Sequence, residues 1–325
     1  MLSFKELFDQ FANYLERFRL SEQPKTLYDP VNYILSLGGK RIRPLLTLAA
    51  YNLYDADISK AMNAGMAIEM FHNFSLLHDD IMDDADMRRG KPSVHIKYDP
   101  NAAILSGDVM MILSYKLLES YGEKVQSLYQ EFTKTAIEVC EGQRYDMDFE
   151  VSSKVSIEEY IEMITLKTSV LLGAAMKMGA IIGEASVQDQ FHLYEFGKNL
   201  GIAFQIQDDV LDTFGNEETF GKKIGGDIIQ KKQTFLYLKT LELLSEEEAK
   251  ELRSLFAAEY VINDDQKHID QVKELYKKAH VLVHADETKL VYKQLASSHL
   301  EAVSVDASKI EVLKVFADKL LNRNV

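Results

Sequence analysis

Phe74-Ser75-Leu76-Leu77-His78-Asp79-Asp80-Ile81-Met82-Asp83-Asp84 joins an apolar run to a knot of four aspartates. An α-helix turns about 100° per residue, so Asp79 and Asp83 fall within about 40° of each other, with Asp80 beside them. Bare carboxylates at that spacing repel and weaken a helix, so a cation is expected to offset them. Magnesium suits the pattern, because it takes one or two carboxylates and completes its shell with water and phosphate oxygens. Gln207-Asp208-Asp209-Val210-Leu211-Asp212 repeats the motif. Gly197, Gly201, Gln205, Asp208 and Asp212 recur at four, four, three and four, which predicts a small, polar face such as lines a cavity. One such cluster is ordinarily a solvated acidic face; two, each flanked by apolar residues, point to a metal site.

The surrounding chain reads as helix. It has 325 residues with only 5 prolines, and helical spacing recurs nearly throughout. Leu7, Phe8, Phe11, Tyr14, Leu15 and Phe18 share one face. Pro44 is expected as the first residue of a helix, and Ser156 with Glu159 as a capping box. Sustained period-2 alternation and Asn-Gly or Asp-Gly hairpin signals are missing. No linker rich in Pro, Gly or Ser divides the sequence, so residues 1–325 are expected to form one all-α domain. The last hundred residues read as charged, amphipathic helices.

Net charge is −14, which argues against a nucleic-acid binder but not against a phosphate substrate, since bound metals invert the local sign. A lone Cys140 excludes an internal disulfide and fits a reducing, cytoplasmic setting. The start MLSFKELFDQF lacks the form of a secretory leader, and no uninterrupted apolar run reaches the length of a membrane span.

Anion donors complete the pattern. Lys40, Arg41 and Arg43 lie in GGKRIRP at a predicted helix N-terminus, which itself favours anions. Arg88 and Arg89 follow the first acidic cluster in a loop containing Gly90 and Pro92, and guanidinium forks match phosphate oxygens. Lys167, Lys222 and Lys232 add point charges, and His72, seven residues before Asp79, shares its face. Singly, each is more often a solvent-facing or structural residue; their number around two acidic clusters is what needs explaining.

Taken together, GGKRIRP, DDIMDDADMRRGKPSVH, EGQ at 141–143, Lys167-Thr168, FQIQDDVLDTFG and FGKKIGGD resemble the trans-isoprenyl diphosphate synthases, in that family's order over roughly residues 38 to 235. The resemblance implies a large helical bundle around a deep cavity. It assigns Asp79, Asp80, Asp83, Asp208, Asp209 and Asp212 to three magnesium ions. Arg88, Lys167, Gln205 and Lys222 would contact an allylic diphosphate, with Lys232 a further candidate. Lys40, Arg43, His72 and Arg89 would bind isopentenyl diphosphate, with Arg41 a looser match. Thr168 and Gln205 would steady the carbocation. A homodimer is implied as well. Gln233, between Lys232 and Thr234, departs from the pattern, and Arg323 in the tail receives no role.

The reaction so implied is ionisation, condensation, then elimination. Phe74 and Ser75, five and four positions before Asp79, stand where the family sets chain length; a small residue at the fourth position resembles enzymes making C20 rather than C15 products. A terpene cyclase would carry a different second metal motif, and it, like a head-to-head synthase, is expected to lack GGKRIRP. A non-catalytic regulatory subunit would be expected to lose acidic residues that are intact here.

Overall fold

The computed structural model describes residues 1–152, 154–216, 224–257 and 259–321. The chain divides into two compact units. The first comprises Met1–Lys134, Ala174–Tyr194 and Ala302–Leu313; the second comprises Thr135–Gly173, Glu195–Glu301 and Lys314–Val325.

In the first unit, α1 (Phe4–Arg17) starts at Ser3, whose hydroxyl and the carboxylate of Glu6 cap each other's backbone N–H groups. Its apolar stripe buries Leu7 and Phe11 completely, while Phe8 stays 37% exposed. Next come α2 (Lys25–Ser36) and α3 (Ile42–Asn52). Pro44 is the third residue of α3 rather than the first, because the chain turns into the helix through Arg41 at φ 48°. The long α4 (Met62–Met82) is the core element, burying Met66, Met70, Phe71 and Leu77.

After α4 the chain makes a two-residue ladder, β1 (Met87–Arg88) against β2 (Lys91–Pro92). No Asn-Gly or Asp-Gly signal marks this hairpin in the sequence. Arg89 and Gly90 both take positive φ, 53° and 73°, the mirror-image turn whose twist matches paired strands. Arginine at the first turn position hides that signal. The short α5 (Val94–Lys97) leads to α6 (Pro100–Leu118), which packs on α4.

The second unit takes most of α7 (Val125–Val151), then α8 (Ile157–Ile164) with the expected Ser156–Glu159 capping box. A single π-helical turn, Thr165–Ser169, separates α8 from α9 (Val170–Ile182). Next come α10 (Val187–Phe214), the short α11 (Gly226–Ile229), α12 (Phe235–Leu243), α13 (Glu246–Phe256), α14 (Asp265–Lys278), α15 (Val281–Glu301) and α16 (Ala307–Leu321). Tyr160, Ile206, Leu236, Val272 and Val281 anchor an apolar core in this unit.

Gly197 and Gly201 do not line a cavity. A Cβ at Gly197 would stand 2.6 Å from the Leu172 carbonyl oxygen, and one at Gly201 would stand 2.8 Å from Ser169 Cα. These glycines let α10 touch the backbone beside the π turn, so the small-residue face is a helix crossing.

Two helical stretches among the described residues, Pro100–Glu150 and Ile157–Ile182, are long and apolar enough by composition to cross a membrane. The apolar window of the second is 72% buried within the protein.

Candidate active site

The first acidic cluster sits at the end of a helix. Asp83 caps the C-terminus of α4, and Asp84 follows at φ 49°. Asp79, Asp80 and Asp83 therefore crowd the negative end of the helix dipole, where carboxylates are least welcome and cations most favoured. Arg88, delivered by the hairpin turn, donates Nε at 2.9 Å and also Nη2 to Asp80 Oδ1. Asp80 is 1% exposed, and burial raises its carboxyl pKa against the lowering effect of Arg88. Its second oxygen, Oδ2, is buried and accepts no hydrogen bond.

The basic residues near α3 divide into two kinds. Arg43 Nη1 lies 3.1 Å from His72 Nε2. Burial, then the Arg43 charge, pushes the His72 pKa well down, so a neutral ring accepts from the guanidinium. Arg89 reaches back to donate to the Leu37 carbonyl at 3.2 Å, which brings it to the GGKRIRP loop, while Lys40 is exposed there. Arg41 differs. Its guanidinium turns inward to Glu69 and to the carbonyls of Leu35 and Leu37, and the residue is only 9% exposed. Its expected contact with a diphosphate gives way to a structural one, since a guanidinium spent on a buried carboxylate and two carbonyls has little left to offer a ligand.

The chain-length pair also divides. Phe74 is 8% exposed and packs on Phe71 and His78, with ring centroids 5.4 and 4.9 Å away. Ser75 is half-buried, its hydroxyl donating to the His72 carbonyl at 2.9 Å.

The second cluster lies near the C-terminus of α10, in the other unit. Here Asp146, Tyr160, Lys167, Thr168, Gln205, Asp209, Asp227 and Lys232 are among the residues that line one cavity of about 120 Å³. The π turn carries Lys167 and Thr168, and single-turn π bulges of this kind are frequent at functional positions. Gly142 explains the EGQ motif: a Cβ there would stand 2.2 Å from the Lys167 backbone nitrogen, so only glycine allows α7 to press against the turn. One helical turn further along, Asp146 forms a salt bridge with the Lys167 ammonium.

The three aspartates of this cluster have different surroundings. Asp208 is half-buried. Asp212 is 9% exposed and accepts the Asp227 backbone N–H at 2.9 Å, from the start of α11. Asp209 is 3% exposed and accepts from Tyr160 Oη, from Gln205 Nε2 at 3.2 Å and from the Phe235 N–H at 3.4 Å. Burial, with Asp227 nearby, raises its pKa well above the carboxylate range, against those three donors. Lys222 lies outside the described residues.

Sequence reasoning missed Glu69, Asp146, Tyr160 and Asp227. Glu69 did leave a signal, a single acid within the apolar helix stretch GMAIEMF, where an unpaired charge would be costly. Asp146 stands four residues after Gly142, on the same helical face. Tyr160 had no signal distinct from an ordinary core aromatic.

Among the described residues, no three carboxylate, imidazole or thiolate groups are gathered as a closed metal cage. Magnesium nevertheless fits the first cluster. Asp80 Oδ2 is a buried oxygen lacking a donor, and the cation completes its shell with phosphate oxygens rather than with a full set of side chains.

The family profile described as polyprenyl synthetase matches residues 24–279. A short chain isoprenyl diphosphate synthase of Methanothermobacter thermautotrophicus is 36% identical over 302 residues, covering 92% of this chain and 91% of its own. A geranylgeranyl diphosphate synthase of Saccharolobus solfataricus is 38% identical over 308 residues, again covering 92% and 91%. A crystal structure of a geranylgeranyl pyrophosphate synthase superposes with a TM-score of 0.95, at 45% identity and full coverage of both chains. The chain belongs to the polyprenyl synthetase family and has its all-α isoprenoid-synthase fold. Within it, this protein is a trans-prenyltransferase of the short-chain type.

Proposed function

We propose that the enzyme condenses isopentenyl diphosphate with an allylic diphosphate to give chiefly the C20 product, geranylgeranyl diphosphate. The observation that carries this reading is the grouping of Lys167, Thr168 and Gln205 around one cavity, on a π turn held by Gly142 and Asp146.

Arg88, Lys167 and Lys232, with Lys222, bind the allylic diphosphate. Lys40, Arg43, His72 and Arg89 hold isopentenyl diphosphate, and Arg41 supports them from within. Asp79, Asp80, Asp83, Asp208 and Asp212 hold three magnesium ions, and Asp209 belongs with them through its place in the motif. When bound, the metal ions neutralise charge developing on the leaving diphosphate. Arg88 and Lys167 are further donors for the allylic diphosphate. Thr168 and Gln205 present oxygen dipoles to the allylic cation while the isopentenyl double bond attacks it. Holding the two reactants side by side supplies about 7–11 kcal/mol of the barrier in well-oriented systems. The last proton leaves to the departed diphosphate, so no strong protein base is needed.

Residues 1–325 are read as one domain, a reading supported by a family match that runs from 24 to 279. An open apolar strip on α6, with Ile104, Leu105 and Ile112 at 44%, 58% and 62% exposure, supports a homodimer. A reducing, cytoplasmic setting is consistent with the lone Cys140.

The test is incubation of purified protein with magnesium and radiolabelled isopentenyl diphosphate, with and without an allylic primer. Primer-dependent incorporation into a C20 alcohol after dephosphorylation is the expected result. No incorporation, or a cyclised hydrocarbon, would sink the reading.

A further inference from the structure

Tyr160 belongs to no recognised motif, yet it sits behind the residues assigned to the carbocation. It is 2% exposed, and its hydroxyl donates to Asp209 Oδ2. Asp209 Oδ2 also takes the Phe235 N–H at 3.4 Å, which leaves Oδ1 for Gln205 Nε2 at 3.2 Å. The amide of Gln205 thus turns its NH2 toward Asp209 Oδ1. Its oxygen is then on the opposite side, where Thr168 Oγ1 donates to it at 3.4 Å. Tyr160, Asp209, Gln205 and Thr168 all border the same cavity.

We propose that Tyr160 is a positioning residue that, through Asp209, fixes the Gln205 amide with its oxygen facing Thr168 and the cavity. The terminal torsion of glutamine is soft and roughly two-fold, so an unheld amide offers either its oxygen or its NH2. An oxygen stabilises an electron-poor allylic carbon, whereas an NH2 destabilises it. Tyr160 therefore selects the sign of the dipole that Gln205 presents. The inference rests on the reading above, in which Gln205 steadies the cation.

A double-mutant cycle tests it, with steady-state kinetics and thermal midpoints measured for Tyr160→Phe, Gln205→Leu and the double variant in full-length enzyme with magnesium. Tyr160→Phe is expected to lower kcat by at least about tenfold and to leave KM for isopentenyl diphosphate within about twofold. In the Gln205→Leu background, with no amide to orient, the same change is expected to cost less than about twofold. Penalties that multiply would overturn the proposal and leave the role of Gln205 standing. A Gln205→Leu enzyme with normal kcat would overturn the role of Gln205, and the proposal with it. Should Tyr160→Phe not fold, 3-fluorotyrosine in place of Tyr160 keeps the hydroxyl donor in the same place. Substantial kcat supports the proposal; a kcat as low as that of Gln205→Leu at a normal thermal midpoint overturns it.

Discussion

Arg41 and Glu69 form an ion pair that excludes water, with side chains 7% and 1% exposed. Further hydrogen bonds hold each side chain in place: Arg41 donates to the Leu35 and Leu37 carbonyls, and Asn73 Nδ2 donates to Glu69 Oε1 at 2.9 Å. The pair ties the start of α3 to the middle of α4, and so sets the spacing at which Arg43 meets His72.

Removing one partner strands the other. Glu69→Ala is expected to destabilise the protein by about 3–5 kcal/mol, because a buried guanidinium is left uncompensated. Arg41→Met with Glu69→Leu, which removes both charges, should recover most of that loss. Urea unfolding of the single and double variants checks both.

Gly142→Ala is expected to cost about 1–3 kcal/mol and to lower kcat, since the added methyl meets the Lys167 backbone and must push the π turn away. Gly38→Ala, which meets nothing within 4 Å, serves as the stability control. Equal stability of the two variants would contradict the close approach of α7.

Asp79→Ala and Asp208→Ala should each lower kcat by roughly 10²–10³ or more through lost stabilisation of the leaving diphosphate. Asp57→Ala should leave kcat unchanged. Its carboxylate only caps a short turn, accepting Ser59 N–H at 3.2 Å and Ser59 Oγ at 2.6 Å, so the expected penalty is about 1 kcal/mol of stability. Steady-state assays with saturating magnesium separate the three.

The depressed pKa of His72 predicts a pH dependence of stability. The unfolded imidazole takes up a proton below about pH 6.5, while the folded ring resists it, so stability is full above that pH and falls as pH drops further. Between pH 6.5 and 5.5 wild type should lose about 1 kcal/mol more than His72→Gln. The comparison also cancels His268, whose pKa is lowered by burial in both proteins.

Ser75→Phe should shift the main product from C20 to C15. Phe74 is packed into the core against Phe71 and His78, so Ser75 is left as the adjustable position of the pair. Chromatography of dephosphorylated products decides it, and unchanged chain length would remove this floor.

The resemblance of the chain's motifs to a known family implied the reaction class, and the amino-acid order alone was enough for the helices and for the two aspartate clusters. Each depends on short-range geometry: 3.6 residues per turn decides which side chains share a face, and the chemistry of adjacent carboxylates and guanidinium groups decides what they can hold. Capping at Ser156 was legible for the same reason, as its partner is three residues away.

What the chain order could not reveal were contacts joining residues far apart in sequence. Arg41 reads as a free phosphate donor until Glu69, 28 residues on, turns it inward. Gly197 and Gly201 read as a cavity wall until Leu172 and Ser169 fill the space beside them. Tyr160 reads as a core aromatic until Asp209, 49 residues away, takes its proton donor. Burial sets the energy of a polar group by removing its alternative partner, water, and only the folded chain determines which groups lose that alternative.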